Sequence, residues 1–260
     1  MGHPPMTYWE HLTSARIDAF DRCVPAVLPL GAIEQHGPHL PLATDRLLAD
    51  HFCRELDRRL GDDVLVLPTV SVGYSRHHDD FPGTLSLSHE TLLHQVVEIA
   101  GSALRLGVRS LLLVNAHGGN EGVAQVALEQ LGYSWPDRTI ARTTWWQVAS
   151  DALLELTETG PGGVGHACEL ETSLLLAVAP HLVDTAVVPE RENESPFAWD
   201  TGDMLRGAPA TRYRRFADVS STGVFGDPRA ASREKGERMS GIVVERLAEI
   251  VRSLRTEAKS

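Results

Sequence analysis

The sequence lacks several features that would assign it to common classes of protein. Only three cysteines occur in 260 residues, Cys23, Cys53 and Cys168, and they form no CxxC pair. We therefore expect neither a disulfide framework nor a structural zinc site, and a reducing cytoplasm fits best. No apolar run approaches the roughly 18 residues of a membrane helix, so no membrane partner is expected. Residues 1–10 lack the apolar region of a signal peptide.

Basic charge is also scarce, because 24 Lys and Arg face 35 Asp and Glu and give a formal net charge of -11. Nucleic-acid binding needs a basic face for the phosphates, so no nucleic acid is expected as a partner. The glycine fingerprint GxGxxG and the Walker lysine are missing as well, which disfavours a nucleotide-binding oxidoreductase. The length fits one large α/β domain or two small ones.

Short apolar runs alternate with longer helical patterns along the chain. Such alternation predicts an α/β fold with a mainly parallel sheet covered by helices on both faces, and ligands then bind beyond the carboxyl ends of the strands. Residues 186–226 show little periodicity and are interpreted as a surface excursion, a lid or an oligomer contact. Strands are predicted at residues 24–30, 64–67, 110–115 and 138–142. Helices are predicted at residues 45–60, 88–106 (with Ser88 as N-cap and Gly107 as stop), 122–131 (ended by Gly132), 145–158, 169–178 and 232–256.

The first candidate site consists of Glu34, His36 and Asp45, directly after the first predicted strand. A carboxylate and an imidazole two residues apart point the same way in an extended segment. The glycine and prolines between His36 and Asp45 force a loop that can return Asp45 to the same place. Mixed Glu, His and Asp ligands suit Zn²⁺, Mn²⁺ or Fe²⁺. The alternative is a polar loop in which Asp45 caps the next helix.

A second polar run, Asn115-Ala116-His117-Gly118-Gly119-Asn120, ends one predicted strand and opens a helix. The two glycines would let a ligand approach the backbone closely beside His117. Because the first site also follows a strand, both should lie at the same edge of the sheet. The alternative is a glycine turn with an incidental histidine.

A third run, residues 165–173, contains His166, Cys168, Glu169 and Glu171. Glu169 and Glu171 cannot share a face if both lie inside a helix, so we expect one to be a first-turn residue while the other faces the site. The alternative is that both only complement the dipole of a helix N-terminus. Cys168 is disfavoured as a nucleophile, because a cysteine hydrolase would not need the carboxylates around it.

Two further groups are candidates for the walls of a substrate pocket. The run of residues 77–84, which includes His78, shapes the pocket or orients a metal ligand; the alternative is an exposed polar turn. Tyr74, Trp145 and Trp146 are aromatic candidates for the same walls, with the hydrophobic core as the alternative.

These motifs resemble the creatininase family of amidohydrolases. The resemblance rests on residues 31–42 with Thr44 and Asp45, and on residues 81–84, 115–120, 166–173 and 223–228, in the family's order. It implies a three-layer αβα sandwich, here a single domain over residues 1–260. It also implies two divalent metal ions, Zn²⁺ and/or Mn²⁺ with Fe²⁺ as a further option, and a homo-oligomer such as a hexamer.

The same resemblance implies roles for individual residues. Asp45 is expected to bridge the two ions, and His166 is expected to act in catalysis beside the substrate. Glu169 is expected to move a proton, although whether Glu169 or Glu171 is the last ligand stays open. The expected metal ligands are Glu34, His36, Asp45, His117 and Glu171. The residues expected to bind substrate are His78, Gly118, Gly119 and Trp145.

The implied reaction is hydrolysis of a C–N amide bond of a small molecule or modified peptide, by a hydroxide held between the two metal ions. Creatinine-hydrolysing members carry a carboxylate where this chain has Gly119, which argues against creatinine itself as substrate. Mycofactocin-precursor peptidases and formamidopyrimidine deformylases share the glycine pair, and both stay open as alternatives. A non-catalytic metal-binding protein, with a closed coordination shell, is the alternative from another class.

Overall fold

A computed structural model describes residues 7–192 and 197–259 of the chain. Residues 1–6, part of the stretch considered for a signal peptide, lie outside the described residues. No helix within the described ranges is both long enough and apolar enough to cross a membrane. The strands are β1 (Ala26–Leu30), β2 (Leu65–Val66), β3 (Ser110–Asn115) and β4 (Thr139–Thr144). The helices are α1 (Ser14–Asp18), α2 (Thr44–Leu60), α3 (His89–Arg105), α4 (Glu121–Ser134), α5 (Ser150–Leu154), α6 (Glu169–Val178) and α7 (Arg233–Ala258).

The four strands form one parallel sheet in the order β2-β1-β3-β4. Every residue of β1 and β3 is buried, as expected for central strands of a parallel sheet covered on both faces. Leu30 pairs with Asn115, so the carboxyl ends of β1 and β3 lie side by side. The predicted α/β fold is confirmed.

Side chains of the sheet alternate between two hydrophobic layers. Leu28 and Leu113 pack with apolar residues of α3 and α4 on one face. Val27 and Leu112 pack with α2, α6 and α7 on the other face. This is the predicted three-layer αβα arrangement, in which each helical layer covers one face of the sheet.

Local sequence signals fix several helix ends as predicted. Ser88 is the N-cap of α3 and accepts a hydrogen bond from the Thr91 amide at 3.2 Å. Gly107 follows this helix with a φ of 98°, in the left-handed region that favours glycine. Ser232 caps α7 in the same way as Ser88, by accepting a hydrogen bond from the Lys235 amide.

Two predicted helix boundaries are wrong for identifiable reasons. Helix α4 continues through Gly132 to Ser134, and it ends where Pro136 excludes the helical conformation at Trp135. The predicted helix 145–158 is reduced to α5, residues Ser150–Leu154. The amide of Trp145 donates instead to the Asn115 carbonyl at 3.1 Å, which extends the pairing of β4 with β3 before the chain turns.

Candidate metal centre

The loop between β1 and α2 brings Glu34, His36 and Asp45 together. The Glu34 amide donates to the Leu42 carbonyl at 2.9 Å and closes the loop, while Asp45 lies in the first turn of α2. The His36 Nε2 atom is 3.3 Å from Asp45 Oδ1, and all three side chains are buried. The loop therefore gathers two carboxylates and an imidazole at the carboxyl end of β1.

His117 reaches the same place from the neighbouring strand β3. Its Nδ1 lies 3.1 Å from Asp45 Oδ2, and its Nε2 lies 3.1 Å from Glu34 Oε2. The Asn115 side chain holds the turn, because its Oδ1 accepts from the His117 amide and its Nδ2 donates to the His117 carbonyl. The two polar clusters thus meet at one edge of the sheet, as the order of strands predicted.

Gly119 is required by close packing in this turn. A Cβ atom at Gly119 would collide with the Tyr74 carbonyl and would lie 2.5 Å from His117 Nε2. No larger side chain, and so no carboxylate, fits at this position with the present backbone. The carboxylate from another element, Glu171, approaches the cluster instead.

Glu171 and His166 come from the start of α6 and the segment before it. A carboxylate oxygen of Glu171 lies within 4.8 Å of a ligand atom of His36 and of Asp45. The Oε2 atom of Glu171 accepts a hydrogen bond from the Ala167 amide. Ala167 has a φ of 53°, a costly conformation for alanine that aims its N–H at this carboxylate. The His166 backbone pairs with Phe225 in both directions, at 2.7 and 2.8 Å. Both side chains are therefore held in fixed positions.

Hydrogen bonds to backbone carbonyls define which ring nitrogen of each histidine faces the cluster. The Nδ1 of His36 donates to the Glu34 carbonyl at 3.1 Å, and the Nε2 of His117 donates to the Tyr74 carbonyl at 2.8 Å. The Nε2 of His166 donates to the Gln35 carbonyl at 2.7 Å. The other nitrogen of each ring can then bind a metal ion once it has lost its proton.

His78 lies beside the Oε1 atom of Glu34, whereas His117 lies beside its Oε2 atom. Gln35 donates from Nε2 to His78 Nδ1 at 2.7 Å, which leaves a proton on His78 Nε2. That nitrogen is 3.3 Å from Glu34 Oε1. This is an ion-pair distance, although neither atom has a hydrogen bond among the described residues.

Several buried polar atoms of the cluster have no hydrogen-bond partner among the described residues. A buried polar atom without a partner is costly, and here the orphaned atoms belong to side chains that face one another. A divalent cation would satisfy carboxylate oxygens and unprotonated imidazole nitrogens together, so the donor set fits a transition-metal ion. These atoms are Glu34 Oε1 and Oε2, His36 Nε2 and Asp45 Oδ2.

The charges of the cluster depend on one another. Burial raises the pKa of Glu171 to about 7. Burial alone would lower the pKa of His36, but the Asp45 carboxylate outweighs it and raises that pKa to about 9. The cluster without a cation therefore retains protons, and metal binding would displace them.

A cavity of about 150 Å³ opens onto the cluster. Its walls include three of the residues expected to bind substrate, His78, Gly118 and Gly119. The structure corrects the fourth expectation, because Trp145 is fully buried in the core, whereas Trp146 lines the cavity. Sequence reasoning did not commit to His77, which lies with Glu34 and His117. Residues 186–226 add further wall residues that it missed: Gly202, Met204, Arg214, Phe216 and Phe225.

The structure also corrects the expectation that Glu169 moves a proton. Its carboxylate forms a buried ion pair with Lys235 of α7. It also accepts hydrogen bonds from the Glu158 amide at 3.0 Å and the Thr159 hydroxyl at 2.7 Å. Glu169 therefore faces away from the cavity that Glu171 lines, as two residues on opposite helix faces must.

A parallel sheet with facing carboxylates and imidazoles at its carboxyl edge defines an α/β protein with a candidate metal site. The family model described as creatinine amidohydrolase matches residues 10–251. The chain belongs to this creatininase family of amidohydrolases, and it is a hydrolase that acts on carbon–nitrogen bonds other than ordinary peptide bonds.

Two curated relatives cover most of the chain. The mycofactocin precursor peptide peptidase of Mycobacterium tuberculosis (strain CDC 1551 / Oshkosh) is 36% identical over 230 residues, 84% of this chain and 81% of that protein. The creatinine amidohydrolase of Pseudomonas putida is 32% identical over 254 residues, 92% of each chain.

Solved creatininases have the same fold. A manganese form matches with a TM-score of 0.80 at 28% identity, over 95% of this chain and 98% of that one. A mutant creatininase of Zn–Zn type matches with a TM-score of 0.76 at 29% identity, over 95% and 97%.

Proposed function

We propose that this chain hydrolyses a carbon–nitrogen amide bond of a small molecule or modified peptide with the help of two divalent metal ions. The observation that carries the proposal is the set of buried ligand atoms that face one another without hydrogen-bond partners among the described residues. Related creatininase structures of manganese and Zn–Zn types support Mn²⁺ and Zn²⁺ as the ions. Fe²⁺ suits the same donor set.

The ligands divide into two groups that share Asp45. His36, Asp45 and Glu171 would hold one ion, because their ligand atoms lie within 4.8 Å of one another. Glu34 and His117 would hold the other ion together with Asp45, whose Oδ1 faces His36 and whose Oδ2 faces His117. Asp45 would thus bridge the two ions.

Two ions at this centre would supply a water of lowered pKa and a Lewis acid for the amide carbonyl. His166 supplies the proton transfer. Burial lowers the pKa of His166 well below its usual value, so the ring is neutral at pH 7. Its Nε2 proton is held by the Gln35 carbonyl, which leaves Nδ1 to take a proton from the nucleophile and deliver it to the leaving nitrogen.

The substrate proposed here is not creatinine. Gly119 cannot carry the carboxylate found in creatinine-hydrolysing members, because a side chain would collide with Tyr74. The cavity of about 150 Å³ takes a small amide or the end of a chain, below the roughly 300 Å³ of a typical drug-sized site. Cleavage of a modified peptide is the second candidate, favoured by the 36% identity to the mycofactocin precursor peptide peptidase.

The test combines metal removal with a substrate panel. Chelator treatment is expected to abolish hydrolysis of the active member of a panel of formamides, lactams, small peptides and creatinine, and Zn²⁺ or Mn²⁺ to restore it. His166→Asn is expected to keep the metal and lose turnover, while His181→Asn, at an exposed position, keeps both. Full turnover by the chelated protein, or by His166→Asn, contradicts the proposal.

We also propose that residues 1–260 form one domain of a cytoplasmic homo-oligomer. Free cysteines at positions 23, 53 and 168 are consistent with a reducing compartment. Phe197, Trp199 and Tyr213 are exposed apolar side chains on the 186–226 segment, which supports a subunit contact there. Light scattering of the purified protein measures its mass, and a monomer contradicts this part of the proposal.

A further inference from the structure

Arg214 stands out in the cavity wall by its charge. Among the described residues that line the cavity, it is the only Arg or Lys. It comes from residues 186–226, the segment that the sequence left without an assigned role. The remaining titratable residues of the wall are the metal-centre carboxylates and histidines.

The guanidinium of Arg214 is held in place by its neighbours. Its Cζ lies 4.4 Å from the centre of the Phe225 ring, a stacking arrangement that fixes the plane of the cation. Gly202, with a φ of 64°, packs beside both side chains. A Cβ at Gly202 would collide with Phe225 and lie 2.8 Å from Arg214 Nη2. Because Gly202 has no side chain, the Arg214 guanidinium can occupy this position before a ligand binds.

The charge of Arg214 is only partly neutralised. Its Nη1 is 3.4 and 3.5 Å from the two oxygens of Asp200, at the limit of a hydrogen bond. The same carboxylate accepts from Arg212 at 3.0 and 3.2 Å. One carboxylate therefore serves two guanidinium groups. Within residues 7–192 and 197–259, Arg214 donates hydrogen bonds only through Nη1, so its other donors can meet a ligand.

The rest of the cavity does not oppose an anion once metal is bound. Glu34, Asp45 and Glu171 carry three negative charges, which the four positive charges of two divalent ions exceed. Phe225 lies against Arg214 and Phe216 lies against His166, so both add apolar surface to the same cavity. An amide that bears an acidic group could then place its amide at the metal centre and its acidic group at the Arg214 guanidinium, because both line the same small cavity.

We propose that Arg214 determines specificity by binding a carboxylate of the substrate, which is therefore a small amide that bears an acid group, such as an N-acyl amino acid. This inference rests on the function proposed above, because it adds the chemical class of the amide. A planar guanidinium matches the two oxygens of a carboxylate. The small cavity volume favours a carboxylate over a larger phosphate ester.

The experiment compares two probes that differ only in this charge. Zinc-loaded wild-type protein is titrated calorimetrically with N-acetylglycine and with the neutral N-acetylglycinamide. We expect N-acetylglycine to bind about tenfold more tightly or better, as hydrogen bonds to charged groups allow. Arg214→Met retains a long apolar side chain against Phe225 and is expected to remove the preference. Arg215→Met is the matched control, because Arg215 pairs with Asp80 and does not line the cavity, and it should keep the preference.

Arg214→Lys covers the case in which Arg214→Met fails to fold, because it retains the charge without the planar fork and should weaken the preference. Equal affinities in wild type, no binding of N-acetylglycine, or an unchanged preference in either Arg214 variant overturns the proposal. Chromatography of the titrated samples and their zinc content record hydrolysis and metal binding separately. A failure of Arg214 as the carboxylate-binding residue is thereby distinguished from a failure of metal-dependent hydrolysis.

Discussion

The buried ion pair between Lys235 and Glu169 gives a sharp prediction, because it separates a structural role of Glu169 from a catalytic one. Glu169 is fully buried, and the Lys235 side chain is only 8% exposed. We expect Lys235→Met to leave an uncompensated buried carboxylate, which typically costs about 3–5 kcal/mol. Glu169 keeps its bonds from Glu158 and Thr159, so the expected loss in free energy of unfolding lies at the low end, about 3 kcal/mol.

Urea unfolding of the zinc-loaded proteins measures this loss, and the melting temperature should fall by about 6–12 °C. The double variant Lys235→Met/Glu169→Gln removes both charges and should recover about 1 kcal/mol or more relative to Lys235→Met. Arg246→Met is the control, because its pair with Glu249 on the same helix is exposed and contributes little. Bound metal should stay unchanged in all variants. A loss in Lys235→Met below about 1 kcal/mol, the range of exposed pairs, or a loss of metal at full stability, would contradict the structural role of Glu169.

Three further changes have expected outcomes. Gly119→Ala should displace His117 and lower the metal content of the protein, which mass spectrometry measures. Gly122→Ala is the control, because a Cβ at Gly122 meets nothing within 4 Å, and it should leave the metal content unchanged. Equal metal contents in the two variants contradict the packing argument. His78→Ala should weaken zinc binding about ten- to a hundred-fold, because it frees a ligand carboxylate, and an unchanged affinity in a chelator competition refutes that role. Burial lowers the pKa of His51 to about 4, below the roughly 6.5 of an unfolded histidine. Its contribution to stability should therefore be complete above pH 6.5 and be lost as the pH falls towards 4, so the urea midpoint of His51→Gln should depend less on pH across that range.

The sequence predicted the scaffold of the site well because the signals are local. Strand β3 and helix α6 have the predicted bounds. Each is marked by neighbouring residues in the sequence: β3 by an apolar run, and α6 by the helical pattern that begins at Glu169. Parallel strand order then brings Glu34 and His117 to one edge of the sheet. The predicted end of α4 is wrong because a helix tolerates a glycine such as Gly132, whereas Pro136 excludes its continuation.

The walls of the cavity could not be predicted from local patterns. Which of Trp145 and Trp146 faces the cavity depends on how the chain turns after β4, and the sequence pattern does not specify that turn. Arg214 and Phe216 come from a segment without periodicity, so no regular element predicts their direction. The family-like motif around Phe225 was the one signal that this segment returns to the site. The choice between Glu169 and Glu171 required Lys235, which lies 66 residues away from Glu169 in sequence.

The most direct test of the dinuclear centre is the metal stoichiometry of Asp45→Asn. Asp45 faces His36 with one oxygen and His117 with the other, so it should support both ions. Inductively coupled plasma mass spectrometry of zinc-loaded protein is expected to find two equivalents in wild type and in Asp50→Asn, a control on the same helix. Asp45→Asn should lose both equivalents. Wild-type protein with fewer than two ions, or Asp45→Asn with two, would contradict the two-metal site.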